Sequence, residues 1–212
     1  MASFYSENAD AFFRQYESLP PRTVNRDWAG FIPGRGARIL DIGAGSGRDA
    51  AWLAAMGHEV TAVEPARDLR RRAMAAHPDP AIRWVDDRLP DLAAVRALGR
   101  DFSLILANAV WMHLPPRPRE PALGNMRKLL RAGGTLVITL RHGPSPDERA
   151  MHPVHCGELE AMAGALGLAA VHRSDSRDKL GRDAVSWSTL VLSCREKPLP
   201  AGERGLDRGT SG

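Results

Sequence analysis

The sequence predicts an α/β fold, a mostly parallel sheet with helices on both faces, from three observations. Short apolar strand patterns alternate with helical patterns from residue 38 to about residue 193, and this alternation requires crossover connections. A glycine-rich turn separates the first strand pattern from the first helical one. The chain has 212 residues, 43% of them hydrophobic and 25% charged, which suits one ordinary core and leaves little for a second full domain.

Taken in order, residues 8–18 and 22–30 read as two short helices separated by Pro20-Pro21, with Phe12, Phe13 and Tyr16 as apolar anchors. Strand 38–41, helix 48–56 and strand 59–63 follow as a βαβ unit. Further strands are expected at 81–85, 102–107, 134–140, 168–173 and 185–193, and helices at 66–76, 91–98, 119–131 and 156–166. This divides the chain into a helical extension (1–35), a main domain (36–195) and a disordered tail (196–212), whose glycines and charges lack apolar periodicity.

Composition narrows the function classes. No run approaches the roughly 20 apolar residues of a membrane span, and Glu7 and Asp10 stand where a signal peptide would be apolar. Cys156 and Cys194 are far apart and lack metal-ligand spacing, so no metal site or disulfide framework is predicted and a reducing, cytoplasmic setting is expected. The isoelectric point is near 9.6 with a net charge of +4, yet the basic residues are nearly all scattered arginines without a Lys/Arg tract. A solvated arginine-rich surface is therefore expected rather than a nucleic-acid footprint, and neither nucleic acid nor membrane is an expected partner.

The chemistry concentrates in the first turn. Gly43, Gly45 and Gly47, with Ala44 between the first two, lie where backbone must approach a ligand closely and side chains would obstruct it. The spacing is GxGxG, whereas the dinucleotide fingerprint is GxGxxG, which disfavours a dehydrogenase. Asp41 precedes the turn by two residues; a carboxylate there repels a diphosphate and welcomes a cationic amino-acid moiety. Glu64, at the end of the second strand, is placed to accept hydrogen bonds from a ribose diol.

With these features in order, the chain resembles the class I S-adenosylmethionine-dependent methyltransferases. RILDIGAGSG, the acid of VTAVEP, DDRLPDL, FSLILANAVWMHL and LLRAGGTLVITL carry the resemblance over roughly residues 36–193. It implies a Rossmann-like seven-stranded sheet in the order 3-2-1-4-5-7-6 with strand seven antiparallel, and S-adenosyl-L-methionine as cofactor. By the resemblance Asp41, Gly43, Ala44, Gly45 and Gly47 wrap the amino-acid end and Glu64 binds ribose. Asp86 or Asp87 contacts adenine; the stretch is shorter than the usual pattern and both qualify. Asn108, after strand four, joins the cofactor-binding set.

Ligands of open α/β sheets bind beyond the carboxyl ends of the parallel strands. The acceptor side is thus expected at Trp111 and His113 after strand four, Arg141 and His142 after strand five, and the loop holding Asp175, Arg177, Asp178 and Arg182, with Trp187 at the same edge. His113 and His142 are the candidate proton acceptors, and Arg141 a candidate fork for a carboxylate or phosphate. The expected activity is methylation of a small molecule, because no Lys/Arg tract or appended recognition domain is seen and NAVW replaces the NPPY-like motif of enzymes that methylate amino groups of nucleic-acid bases. RNA or protein methylation is the second reading, and a non-catalytic cofactor-binding module the alternative of another class.

Overall fold

The computed structural model describes residues 2–145 and 149–194, so the tail predicted at 196–212 lies outside the described residues. Seven strands form one sheet: β1 (Arg38–Ile42), β2 (Glu59–Val63), β3 (Ile82–Val85), β4 (Phe102–Ala107), β5 (Leu130–His142), β6 (Leu168–Arg177) and β7 (Ser186–Cys194). Their order is β3-β2-β1-β4-β5-β7-β6, with β7 antiparallel to both neighbours and the β3-to-β5 part parallel, the Rossmann-like methyltransferase topology.

Strand alternation divides the core between the two faces. Leu40, Ile105, Leu136, Ile138, Leu190 and Leu192 pack on one face against α7 (Arg119–Leu129) and α8 (Cys156–Ala165), through Leu123, Met126 and Leu159. Ile39, Leu104, Leu106, Val137 and Val191 pack on the other against α4 (Arg48–Ala55), through Ala50 and Leu53, and against Trp28. Because both faces are covered, the central strands read as unbroken apolar runs.

The N-terminal segment differs from the expected pair of helices. It forms three, Ala2–Glu7, Ala9–Glu17 and Pro21–Val24, followed by a 3₁₀ turn at Ala29–Phe31. The predicted 22–30 helix breaks at Asn25, whose amide is drawn into a 2.9 Å bond to Asp49, and Trp28 is buried 6.0 Å from the ring of Trp52. The 2–17 helices lie on the helix Arg67–Ala76, where Phe12, Ala66 and Leu69 form a satellite core with Tyr5 and Tyr16 at its edge. β5 begins at Leu130 rather than 134: Phe102 pairs with Leu130 and Leu104 with Thr135, the intervening residues looping out around Gly133 at φ 69°.

Candidate functional site

A cavity of about 420 Å³ opens at the carboxyl ends of β1, β2, β4 and β5 and is lined on one side by the N-terminal helices. The turn after β1 forms its floor. Gly43 and Ala44 both donate to the Val63 carbonyl, at 2.8 and 2.9 Å, which ties the turn to the end of β2. Gly43 stands at φ 70°, and a Cβ there would overlap Cγ2 of Val110. Gly45 lies under the ring of Tyr16, and Gly47 begins α4 against Trp84.

Glu64 is buried and accepts from Gly45 N–H at 2.9 Å and Ala66 N–H at 2.8 Å. Burial raises its pKa, and the two amide donors work against that rise. It therefore holds the glycine turn in shape as well as lining the cavity.

Asp41 is only 2% exposed, and its Oδ2 meets no donor among the described residues. Burial, and then the neighbouring Asp49, push its pKa well up. Asn108 lines the same cavity with Oδ1 likewise unmatched, while its amide donates to Asp49 at 3.2 Å and Asn25 at 3.3 Å. Two buried acceptors without donors form a recess suited to a cationic hydrogen-bond donor, the chemistry of an ammonium group.

This arrangement yields a pH prediction. Folding raises the Asp41 pKa, so the native state holds that proton more tightly than the unfolded chain does. As pH rises past the ordinary aspartate range, the unfolded carboxyl ionises first and native stability falls. Unliganded Asp41→Asn should therefore gain thermal stability over unliganded wild type toward neutral pH and converge with it in acid. Parallel curves across that range would show that Asp41 carries no such penalty.

The adjacent acids diverge. Asp86 is largely exposed and pairs with Arg70 at 2.8 Å, outside the cavity. Asp87 lines the cavity and accepts from Arg88 N–H at 2.8 Å and Val95 N–H at 3.0 Å.

On the acceptor side, His113 lines the cavity. Its Nδ1 is 3.3 Å from the Ala150 carbonyl, which can only accept, so Nδ1 carries the proton and Nε2 accepts from the Tyr5 hydroxyl at 3.1 Å. Burial lowers its pKa, leaving the ring neutral at neutral pH. Arg141 is buried and faces the cavity.

His142 is not brought to the site. One residue beyond Arg141, it points to the opposite face of the sheet. There its Nε2 donates to Ser188 Oγ at 2.8 Å, and Ser188 donates to Asp175 at 2.6 Å. With serine in the middle and both neighbours bonded to it, the chain makes no activated nucleophile. Trp111 belongs to the core at 1% exposure. Among the described residues no acid, histidine or cysteine cluster could hold a metal ion, and no helix is long and apolar enough to cross a membrane.

Several cavity residues escape a linear reading. Asn25 has no local signal and reaches the site only because the N-terminal segment folds over α4. Asp49, two residues after Gly47, was legible as an acid at the start of α4. Arg149 and Lys179 sit in irregular segments.

A mostly parallel sheet of this order, with a glycine cradle and distal acid at its carboxyl edge, frames a nucleotide-type cofactor site. Residues 39–134 match the family described as methyltransferase domain. An uncharacterized methyltransferase of Mycobacterium tuberculosis is 28% identical over 222 residues, covering 98% of this chain and 84% of its own length. Among solved structures, a TehB-like SAM-dependent methyltransferase from Corynebacterium glutamicum is 25% identical with a TM-score of 0.64, covering 91% of this chain and 98% of that one. The 1,6-didemethyltoxoflavin-N1-methyltransferase of Burkholderia thailandensis, with bound 1,6-didemethyltoxoflavin and S-adenosylhomocysteine, is 22% identical with a TM-score of 0.61 over 90% of each chain and shares the fold. Over residues 39–134 the chain carries a methyltransferase domain, and S-adenosyl-L-methionine is its cofactor.

Proposed function

We propose that the protein methylates a small molecule. The observation that carries this reading is the cavity's shape: the N-terminal segment lines one side of it through Tyr5, Tyr16 and Leu19 and narrows the approach to the glycine turn, where a polymer substrate would need an open groove. The Burkholderia neighbour's bound 1,6-didemethyltoxoflavin supports the same reading.

The cofactor supplies an electrophilic methyl group on a sulfonium centre. Asp41 and Asn108 offer unmatched acceptors to its cationic amino-acid end, and Gly43, Ala44, Gly45 and Gly47 keep the floor low enough for close approach. Glu64 retains acceptor capacity for ribose hydroxyls, since each oxygen has taken only one amide donor. Asp87, not Asp86, is the acid for adenine, because it alone of the pair lines the cavity.

For the acceptor, the chain chiefly provides alignment and exclusion of water. Tyr5, Tyr16, Met112 and Met151 close the space around it. His113 is the proton acceptor: its Nε2 lone pair accepts from the Tyr5 hydroxyl, so a proton released by the acceptor passes to the Tyr5 oxygen as the Tyr5 proton moves to Nε2.

The test is to incubate the enzyme with methyl-labelled S-adenosylmethionine and a bacterial extract separated into metabolite, RNA and protein fractions. Label is expected in the metabolite fraction. Transfer confined to RNA or protein would replace this reading with that polymer class, and no transfer in a folded, cofactor-binding protein would favour a non-catalytic module.

A further inference from the structure

The cavity is electrically two-ended. Near the glycine turn it presents Asp41, Asp49 and Glu64; at the far end, where β5 leaves the sheet and the β6–β7 connection returns, it presents Arg141, Arg149, Lys179 and Arg182. The acid at that end, Asp178, is already engaged. Its oxygens accept from Arg182 at 2.7 and 2.8 Å, from Trp187 Nε1 at 2.9 Å and from Leu180 N–H at 3.1 Å. Arg182 and Asp178 thus neutralise each other, and Arg141, Arg149 and Lys179 have no ion-pair partner among the described residues.

Arg141 is the most telling of the three. It is only 8% exposed, yet its one bonded nitrogen, Nη1, donates to the carbonyls of Pro144 at 3.0 Å and Gly143 at 3.5 Å. Nε and Nη2 meet no acceptor among the described residues, so half of a planar fork is unused beside a cavity. Burial lowers its pKa, and the Arg182 and Arg149 charges lower it further, as for a cation short of negative charge. Trp187, its register partner on β7, forms an aromatic wall beside it.

The cofactor's own carboxylate is poorly placed to supply that charge. Register sets Asp41 level with Leu106 of β4 and Leu106 level with Val137 of β5. Arg141 lies four residues farther along β5, about 13 Å at the rise of a strand. The backbone that carries Arg141 is therefore set well along the sheet from the recess suited to the amino-acid end.

We infer that the acceptor of the methyl group carries an anionic group, a carboxylate or a phosphate, which docks on the free edge of Arg141, with Arg149, whose guanidinium lies over the Phe12 ring, and Lys179 as further cations lining the same cavity. This rests on the small-molecule reading above and narrows it to organic anions. The anion anchors one end of the acceptor at the basic wall, and its nucleophilic atom lies toward His113 and the cofactor. Neutral analogues lose the charge-assisted bonds to the free edge of Arg141.

Matched ligands test the inference without knowledge of the natural acceptor. Benzoate, phenyl phosphate and neutral benzamide are titrated calorimetrically into wild-type protein saturated with S-adenosylhomocysteine. At least one anion should bind saturably and about tenfold more tightly than benzamide, and whichever binds better distinguishes carboxylate from phosphate. Arg141→Gln should weaken that anion about tenfold while leaving affinity for S-adenosylhomocysteine unchanged. Lys179→Gln, on the accessible connection, should weaken it about threefold and serves if Arg141→Gln does not fold. Equal affinity for benzamide and both anions, absence of saturable binding by either anion, or loss of S-adenosylhomocysteine in step with the anion would overturn the inference. Label found in RNA or protein in the fractionation experiment removes the small-molecule reading without changing these affinities, so the two fail separately.

Discussion

Gly43→Ala is expected to weaken S-adenosylhomocysteine binding at least about a hundredfold, some 2.7 kcal/mol, in a chain that still folds. Two effects combine. At φ 70° the residue occupies the left-handed region, which costs an L side chain roughly 1–2 kcal/mol. The added methyl would also overlap Cγ2 of Val110, and that valine is not free to retreat. It follows Ala109, itself at φ 55° and bonded through its N–H to Thr139 Oγ1 at 2.7 Å. Relief therefore comes by displacing the turn, which carries the cavity floor and its bonds to Val63 and Glu64 with it. Gly43→Ala combined with Val110→Ala removes the overlap but not the backbone strain, so it should recover part of the affinity. Calorimetry on both variants checks this; wild-type affinity in Gly43→Ala would place the cofactor elsewhere.

Gly143→Ala should be the more damaging change to stability, about 3 kcal/mol or more, which lowers Tm by roughly 6–12 °C in a chain of this size. Gly143 stands at φ 112°, and its Cβ would run into the carbonyl oxygen of Ala184, backbone against backbone with no rotamer to turn away. The contact closes β5 onto the start of β7 and sets the carbonyls that Arg141 donates to, so binding at the basic end should fall as well. Gly99→Ala is the control: it too has positive φ, 59°, but faces open space, so only the strain of about 1–2 kcal/mol remains. Similar melting points for the two variants would show that the 143–184 contact yields easily.

Arg141 and His142 show where linear reading stops. Both follow an apolar run into Gly143-Pro144, and both were credible acceptor-side residues. Only one faces the cavity, because consecutive strand residues point to opposite faces. The phase of that alternation is hidden in the pattern: Leu136, Val137 and Ile138 are all fully buried, since helices cover both sides of β5. Asp86 and Asp87 pose the same difficulty, and the ion pair to Arg70 and the capping of the next helix separate them.

By itself the sequence determined the strand and helix alternation, the glycine turn with Asp41 before it, and the acid ending the second strand. These features are local: a backbone that must bend sharply under a ligand needs glycine at fixed offsets, and strands buried on both faces must be apolar throughout. Tertiary structure alone decided which acid of a pair faces inward, that Asn25 meets Asp49, that Tyr5 holds the His113 ring, and that Arg141, Arg149 and Lys179 line one cavity. Asn25 and Asp49, Tyr5 and His113, and Arg141 and Lys179 lie tens of residues apart, and what joins them is the packing of the N-terminal helices and of the β6–β7 connection over the sheet's edge, a distance no spacing along the chain encodes.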